Sequence, residues 1–151
     1  MPTRRDTLRH ATALAGLLAA NGLLAPAAQA AYNKAAFDAR TVQDAVKALG
    51  SGALVESRDV LLSTLDISEN GQEVPLGVST ALPGVRQLLL LVEKNPAPLV
   101  AAFALTDAVE ANLAIRTKMA QTSDVYGVAV MADGRTLFAR RNVRVTVGSC
   151  G

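Results

Sequence analysis

The sequence contains very few of the side chains from which most catalytic and metal centres are built. It has one histidine, His10, one cysteine, Cys150, and no tryptophan. Zinc and copper sites depend on His and Cys ligands, and Ser-His or Cys-His nucleophilic pairs need an imidazole. Because His10 lies in a segment that is typical of a cleaved signal, we expect neither kind of centre, no metal and no cofactor in the working protein.

Charge is balanced once the first thirty residues are set aside. The whole chain has 15 basic and 13 acidic residues. Three of the basic residues and one acidic residue fall within residues 1–30, so twelve of each sign remain and the formal net charge of the remainder is zero. A nucleic-acid-binding domain usually shows a clear basic excess. Nucleic acid is therefore not an expected partner.

Residues 1–30 are typical of an export signal. Arg4 and Arg5 approximate the twin-arginine pattern, a mildly apolar stretch covers residues 11–24, and Ala28-Gln29-Ala30 places small residues where a signal peptidase reads. A membrane-spanning helix needs about 20 strongly apolar residues, and this stretch is shorter and more polar. The sequence therefore predicts a cleaved signal, export to the periplasm by the twin-arginine pathway, and no membrane anchor.

Residues 31–147 are predicted to form one domain, with a helix followed by short strands. Apolar residues recur at helical spacing from Phe37 to Leu49, and Gly50-Ser51-Gly52 ends that pattern. Apolar and polar residues then alternate between turn-forming residues, as in β-strands. The predicted strands cover residues 60–67, 74–79, 85–92, 99–105, 112–119, 125–131, 136–140 and 143–147. This organisation predicts an all-β, immunoglobulin-like antiparallel β-sandwich with one N-terminal helix.

The hairpin over residues 85–105 is apolar on both faces. Residues 88–92 are all apolar, and the strand from Leu99 to Leu105 has no polar residue on either side. A strand with one face in water alternates instead, so both faces of this hairpin should be covered. The cover is either another subunit or the domain's own helix, and the sequence favours neither. Pro75 predicts that its strand lies at a sheet edge, where a missing N–H is tolerated.

The end of the chain combines a predicted strand, residues 143–147, with the only thiol. Gly148, Ser149, Cys150 and Gly151 follow that strand. Glycines on both sides predict a flexible arm over residues 148–151, and a free thiol on such an arm suits delivery of a sulfur-bound group into another protein's pocket. The alternative is a frayed terminus with an incidental cysteine.

These segments resemble the SoxY family, the sulfur carriers of the bacterial Sox thiosulfate-oxidation system. The similarity rests on the twin-arginine signal, Glu69-Asn70-Gly71 with Val74-Pro75, Asn95-Pro96-Ala97-Pro98, residues 116–120, Asp133-Gly134 and the strand that leads to Cys150. The family ends in Gly-Gly-Cys-Gly-Gly, whereas this chain has Gly148-Ser149-Cys150-Gly151. The cysteine is kept, one preceding glycine is a serine, and the final glycine is absent.

The resemblance implies a carrier with no catalytic residues of its own. Cys150 would be the covalent attachment point for thiosulfate-derived sulfur, and residues 148–151 would form its arm. The implied partners are SoxZ, as the second subunit of a heterodimer, and three transient partners: the c-type cytochrome SoxXA, the hydrolase SoxB and the sulfane dehydrogenase SoxCD.

The residues alone leave two other classes of function open. A thioltransferase that uses Cys150 directly would need an activating group, and no histidine remains after residue 30. A structural or adhesive periplasmic module would use the cysteine for an intermolecular disulfide. Several basic residues towards the C-terminus either attract an anionic substrate or an acidic partner, or form an ordinary solvated face. They are Arg116, Lys118, Arg140, Arg141 and Arg144.

Overall fold

Two β-sheets and two short helices make up residues 33–146, the part of the chain that the computed structural model describes. The helices are α1 (Lys34–Asp38) and α2 (Val42–Ala48). The strands are β1 (Leu54–Glu56), β2 (Val60–Thr64), β3 (Ile67–Ser68), β4 (Val74–Thr80), β5 (Val85–Val92), β6 (Leu99–Ala104), β7 (Asn112–Thr117), β8 (Ser123–Met131) and β9 (Thr136–Val145). The predicted class, mostly β with helix at the N-terminal side, is confirmed.

The larger sheet has the strand order β1-β9-β8-β5-β6, with β3 also paired to β9, and the smaller sheet has the order β2-β4-β7. Most neighbours are antiparallel, but β1 and β3 each run parallel to β9. Residues 54–68 run in the same direction as β9, and the two ends of this segment, β1 and β3, pair with it. The middle of the segment, β2, pairs instead with β4 of the smaller sheet. The expectation of a purely antiparallel sandwich is therefore wrong at this edge.

The main core lies between the facing sides of the two sheets. Alternate residues of β4 and β5 fill it: Val74, Leu76, Val78, Leu88, Leu90 and Val92. On β8, the position facing Val78 is Gly127. A Cβ added there would lie 2.8 Å from Val78 Cγ2 and 3.1 Å from Leu62 Cδ1. The absence of a side chain at residue 127 therefore lets the smaller sheet approach closely.

β5 is buried on both faces within the chain itself. Leu89 and Leu91 point away from the smaller sheet and belong to a second buried cluster, together with Ala36, Val42, Ala45 and Val46 of the helices. Both leucines are fully buried. Of the two covers considered for this hairpin, the domain's own helices are the one found for β5, so its side chains need no second subunit to bury them.

The helical region consists of two helices, so the prediction of one helix from Phe37 to Leu49 is wrong. Thr41 is extended, with φ −126° and ψ 156°, and its side chain accepts a hydrogen bond from the Asp44 N–H at 3.1 Å. This N-cap starts α2 as a new helix. Asn33 caps α1 and also donates to the Ala48 carbonyl at 2.7 Å. The start of α1 is thus tied to the end of α2.

Three of the predicted strand assignments are also wrong. β4 is the central strand of the smaller sheet, although β2 pairs with it only from Leu76 onwards, so Pro75 has a strand neighbour on one side only. The predicted strand over residues 60–67 is divided between the two sheets, as β2 and β3. The predicted strands 136–140 and 143–147 are one continuous strand, β9, through Val145.

We predict that Gly127→Ala lowers the free energy of unfolding by about 1–3 kcal/mol, because the added methyl overpacks the core. Gly77→Ala on β4 is the matched control. A Cβ at residue 77 would meet the Ser63 Cβ at 3.5 Å, an ordinary contact, so stability should stay within about 0.5 kcal/mol of wild type. Urea unfolding measures both variants. Equal stability of the two would contradict the close approach of the sheets at residue 127.

Candidate functional site

The predicted thiol arm lies beyond the described residues. Gly148, Ser149, Cys150 and Gly151 fall outside residues 33–146, as do Arg4 and Arg5 of the predicted signal. The structure does describe the last residues of β9 and Thr146, from which the arm departs. We call residues 143–146 the root of the arm.

Hydrogen bonds on both sides hold the backbone of the root. On the side of β3, Arg144 N–H donates to the Asp66 carbonyl at 2.9 Å and Thr146 N–H donates to the Ser68 carbonyl at 3.0 Å. On the other side, Val145 N–H donates to the Thr122 hydroxyl oxygen at 3.0 Å. The chain is therefore fixed in place up to Thr146.

The loop around Gly71 packs directly beneath the root. Met119 N–H donates to the Gly71 carbonyl at 2.7 Å, and Met119 itself is buried. A Cβ on Gly71 would lie 2.5 Å from the Met119 carbonyl oxygen and 3.0 Å from Val145 Cγ1. Only glycine fits between these two groups. The turn at Gly71 thus supports the end of β9.

The length of the arm limits where the sulfur can go. Four peptide units separate Thr146 from Cys150, and four residues span at most about 14 Å when fully extended. Because Thr146 is fixed, the thiol must lie within about that distance of the root, plus its own short side chain. Any protein that acts on the thiol has to come close to the root.

Three of the five basic residues near the C-terminus lie close to a carboxylate: Arg116, Arg140 and Arg141. Arg141 lies 2.7 Å from Asp66, and Arg116 lies 3.6 Å from Glu73. All four side chains are well exposed, so these pairs add little to stability. The basic cluster of the sequence is therefore not a single positive surface.

Arg140 is held by two neighbours on β8. A hydrogen bond to the Tyr126 hydroxyl, with attraction from Asp124 as a smaller cause, raises the pKa of the Arg140 guanidinium above its ordinary value. The Asp124 carboxylate lies 3.8 Å away. Asp124 also accepts a hydrogen bond from the Asn142 amide at 2.8 Å. Among the described residues, Arg144 and Lys118 make no such ion pair.

The described residues near the root form a scaffold of hydrogen bonds and apolar contacts. Within residues 33–146, no group of three or more His, Cys, Asp or Glu side chains is placed to hold a metal ion. None of the helices in that range is long and apolar enough to cross a membrane.

A cleft of about 710 Å³, with Leu82 and Leu105 in its wall, lies at the other end of the sandwich, where β4 ends and β5 begins. The root is thus distinct from this cleft.

Comparisons with solved structures support the fold. The superoxide reductase (neelaredoxin) of Ignicoccus hospitalis is 12% identical, with a TM-score of 0.53 over 59% of this chain and 81% of its own. That likeness concerns the fold alone. The sulfur carrier protein SoxY of Chlorobium limicola f thiosulfatophilum is 29% identical, with a TM-score of 0.61 over 68% of this chain and 92% of its own.

A family model described as sulfur oxidation protein SoxY matches residues 45–150, a range that includes Cys150. No curated protein matches the chain. Fold and family match together define a β-sandwich protein of sulfur oxidation. The chain belongs to the SoxY family. SoxY is a sulfur carrier protein and not an enzyme, so the expectation of a non-catalytic protein is confirmed at the level of the family.

The residues that hold the root carry no local sequence signal of that role. Ser68 ends the two-residue strand β3, and Thr122 lies in a polar loop. Ser68 is 78 positions from Thr146, and Thr122 is 23 positions from Val145. Contacts between segments so far apart depend on the strand order, which the alternation of apolar residues does not specify. Only the folded arrangement of the strands brings these residues together.

We predict that Thr122→Val loosens the root. The variant leaves Val145 N–H without its acceptor, which should cost about 1–2 kcal/mol of unfolding free energy. It should also speed amide hydrogen exchange at residues 144–146 more than elsewhere. Thr106→Val, in an exposed loop where the Thr106 hydroxyl makes no hydrogen bond to another described residue, is the control. If both variants exchanged like wild type at these amides, the Thr122 hydroxyl would not hold the root.

Proposed function

We propose that this chain is a periplasmic carrier that holds thiosulfate-derived sulfur covalently on Cys150 and presents it to the Sox enzymes. The observation that carries the proposal is the SoxY family match through residue 150, on a chain whose only cysteine stands at that position. The fixed root and the short tether agree with it, because they confine the thiol to one end of the domain.

The proposed loading step joins thiosulfate to the thiol. Cys150 loses its proton, and a bond forms between its sulfur and the outer sulfur of thiosulfate. Two electrons leave in this step and pass to the c-type cytochrome SoxXA. SoxB then adds water to the cysteine S-thiosulfonate, which releases sulfate and a proton and leaves a persulfide on Cys150.

The thiol depends on its partners for activation in this proposal. An ordinary cysteine has a pKa near 8.5, so only a few per cent is thiolate at neutral pH. No histidine follows residue 30, and Asp66, whose carbonyl is bonded to the root, has its carboxylate engaged by Arg141 at 2.7 Å. The pocket of the loading enzyme would therefore supply the deprotonating group.

The remaining parts of the proposal concern transport and assembly. Residues 1–30, with Arg4 and Arg5, would be a twin-arginine signal that directs the chain to the periplasm. Residues 31–147 would form an immunoglobulin-like domain, and residues 148–151 its flexible arm. SoxZ would complete a heterodimer, and SoxCD would act on the remaining sulfane sulfur. Resemblance to the family supports these assignments.

We predict that Cys150→Ser abolishes every sulfur adduct formed with thiosulfate and purified SoxXA. Stability should stay within about 0.5 kcal/mol of wild type, because residue 150 belongs to the predicted arm after β9 and surface changes usually cost no more than this. Intact-mass measurement after the reaction detects the adducts. Ser149→Ala is the control and should be loaded like wild type. Adducts on Cys150→Ser would remove Cys150 from its proposed role.

A further inference from the structure

The loop between β7 and β8, residues 118–122, is a segment on which the root of the arm rests. Thr122 accepts a hydrogen bond from the Val145 N–H at 3.0 Å, and Met119 N–H donates to the Gly71 carbonyl at 2.7 Å. Residues 118–122 belong to no strand, so no β-ladder fixes their position. What holds this loop, which we call the supporting loop, therefore helps to decide where the root lies.

The side chain of Asn95, in the turn between β5 and β6, is bonded to the supporting loop. Its amide nitrogen donates to the Lys118 carbonyl at 2.8 Å, and its side-chain oxygen accepts a longer bond from the Ala120 N–H at 3.5 Å. These two contacts lie on either side of Met119, the residue that is bonded to Gly71. Asn95 thus grips the loop where the loop packs beneath the root.

The turn that carries Asn95 is a stiff anchor. Pro96 and Pro98 each have a φ fixed by the proline ring. The Val92 N–H donates to the Pro98 carbonyl at 2.8 Å and closes the turn, and Val92 itself is fully buried at the end of β5. A side chain held on such a turn can fix the position of the segment to which it is bonded.

A second side chain ties the same turn to a different segment. Arg40, between α1 and α2, donates to the Pro96 carbonyl at 2.9 Å. This bond connects the turn with the helices, whereas the bonds of the Asn95 side chain connect it with the supporting loop. Variants at Asn95 and Arg40 therefore separate the two connections of one turn.

We propose that Asn95 is a positioning residue for the Cys150 thiol. By holding the supporting loop, it keeps Thr122 against Val145 and so preserves the root up to Thr146. Release of the last three residues of the root would lengthen the tether by about 10 Å when extended. The thiol would then explore a larger region. This inference rests on the proposed carrier function, and it concerns how the thiol is presented rather than how it is activated.

The first measurement is amide hydrogen exchange in Asn95→Ala. Its matched control is Arg40→Ala, since each variant removes a side-chain bond between this turn and a neighbouring segment. In Asn95→Ala, exchange at residues 144–146 should rise about fivefold above any change elsewhere in the chain. Arg40→Ala should leave these amides as in wild type. An equal rise over the whole chain in Asn95→Ala, or no rise at residues 144–146, would overturn the inference.

A double variant tests whether Asn95 acts through Thr122. Because Thr122→Val already removes the bond to Val145, adding Asn95→Ala to it should change exchange at residues 144–146 by less than about twofold, as expected of coupled positions. Two effects that multiply would mean that Asn95 supports the fold independently of the Thr122 contact. That result would also overturn the inference.

The kinetics of thiosulfate loading distinguish positioning from general stability. Wild type and Asn95→Ala are prepared as heterodimers with SoxZ and loaded by the purified loading cytochrome. For Asn95→Ala we expect kcat to fall about threefold with KM within about twofold, because the enzyme binds the same domain while the thiol is less often in place. Alkylation of Cys150 by iodoacetamide should be equal in both proteins, since a small reagent reaches the thiol in any position.

The outcomes separate this inference from the carrier function. If wild type took up no thiosulfate, both would fail. If wild type were loaded and Asn95→Ala had the same kcat, only the inference would fail. Should Asn95→Ala be misfolded by circular dichroism, Asn95→Asp keeps the shape and the acceptor for Ala120 but loses the donor to Lys118. Its exchange at residues 144–146 should still rise about twofold; no rise would overturn the inference.

Discussion

Hydrogen bonds on both sides of the end of β9 fix the backbone of residues 144–146, and the proposed carrier function depends on this constraint. Thr122 holds Val145 on one side, and the Asp66 and Ser68 carbonyls hold Arg144 and Thr146 on the other. Each such bond contributes only about 1 kcal/mol net, but together they fix the point from which the arm departs. A root that frayed by several residues would lengthen the tether and enlarge the region that the thiol explores. In the proposed carrier, the fixed root would keep the thiol within reach of one end of the domain only.

The burial of β5 shows how a modest domain covers its most apolar strand without a second subunit. One face of the larger sheet packs on the smaller sheet and the other packs on α1 and α2. The leucine side chains of β5 are therefore buried within the chain itself. The exposed apolar groups near the root are few.

The pattern of apolar residues predicts the two-layer fold well. It does not predict which segments contact each other or where a cap interrupts a helix. The run Leu88–Val92 correctly indicates two buried faces, but only the fold shows that the helices provide the second cover. The periodicity from Phe37 to Leu49 conceals the break at Thr41, because the cap is a local hydrogen bond rather than a change of period. The thiol is conspicuous in the sequence, whereas the neighbours of its root are not: β3 joins β9 only because residues 54–68 switch sheets at β2.

The proposed function depends above all on Cys150 carrying sulfur in the working protein. The most direct measurement is intact-mass analysis, with mapping of the C-terminal peptide, of the protein purified without reductant from cells oxidising thiosulfate. We expect a population with a thiosulfonate or persulfide on Cys150, lost on treatment with a thiol reductant. A protein that carries only a free thiol, or an intermolecular disulfide, under those conditions would contradict it.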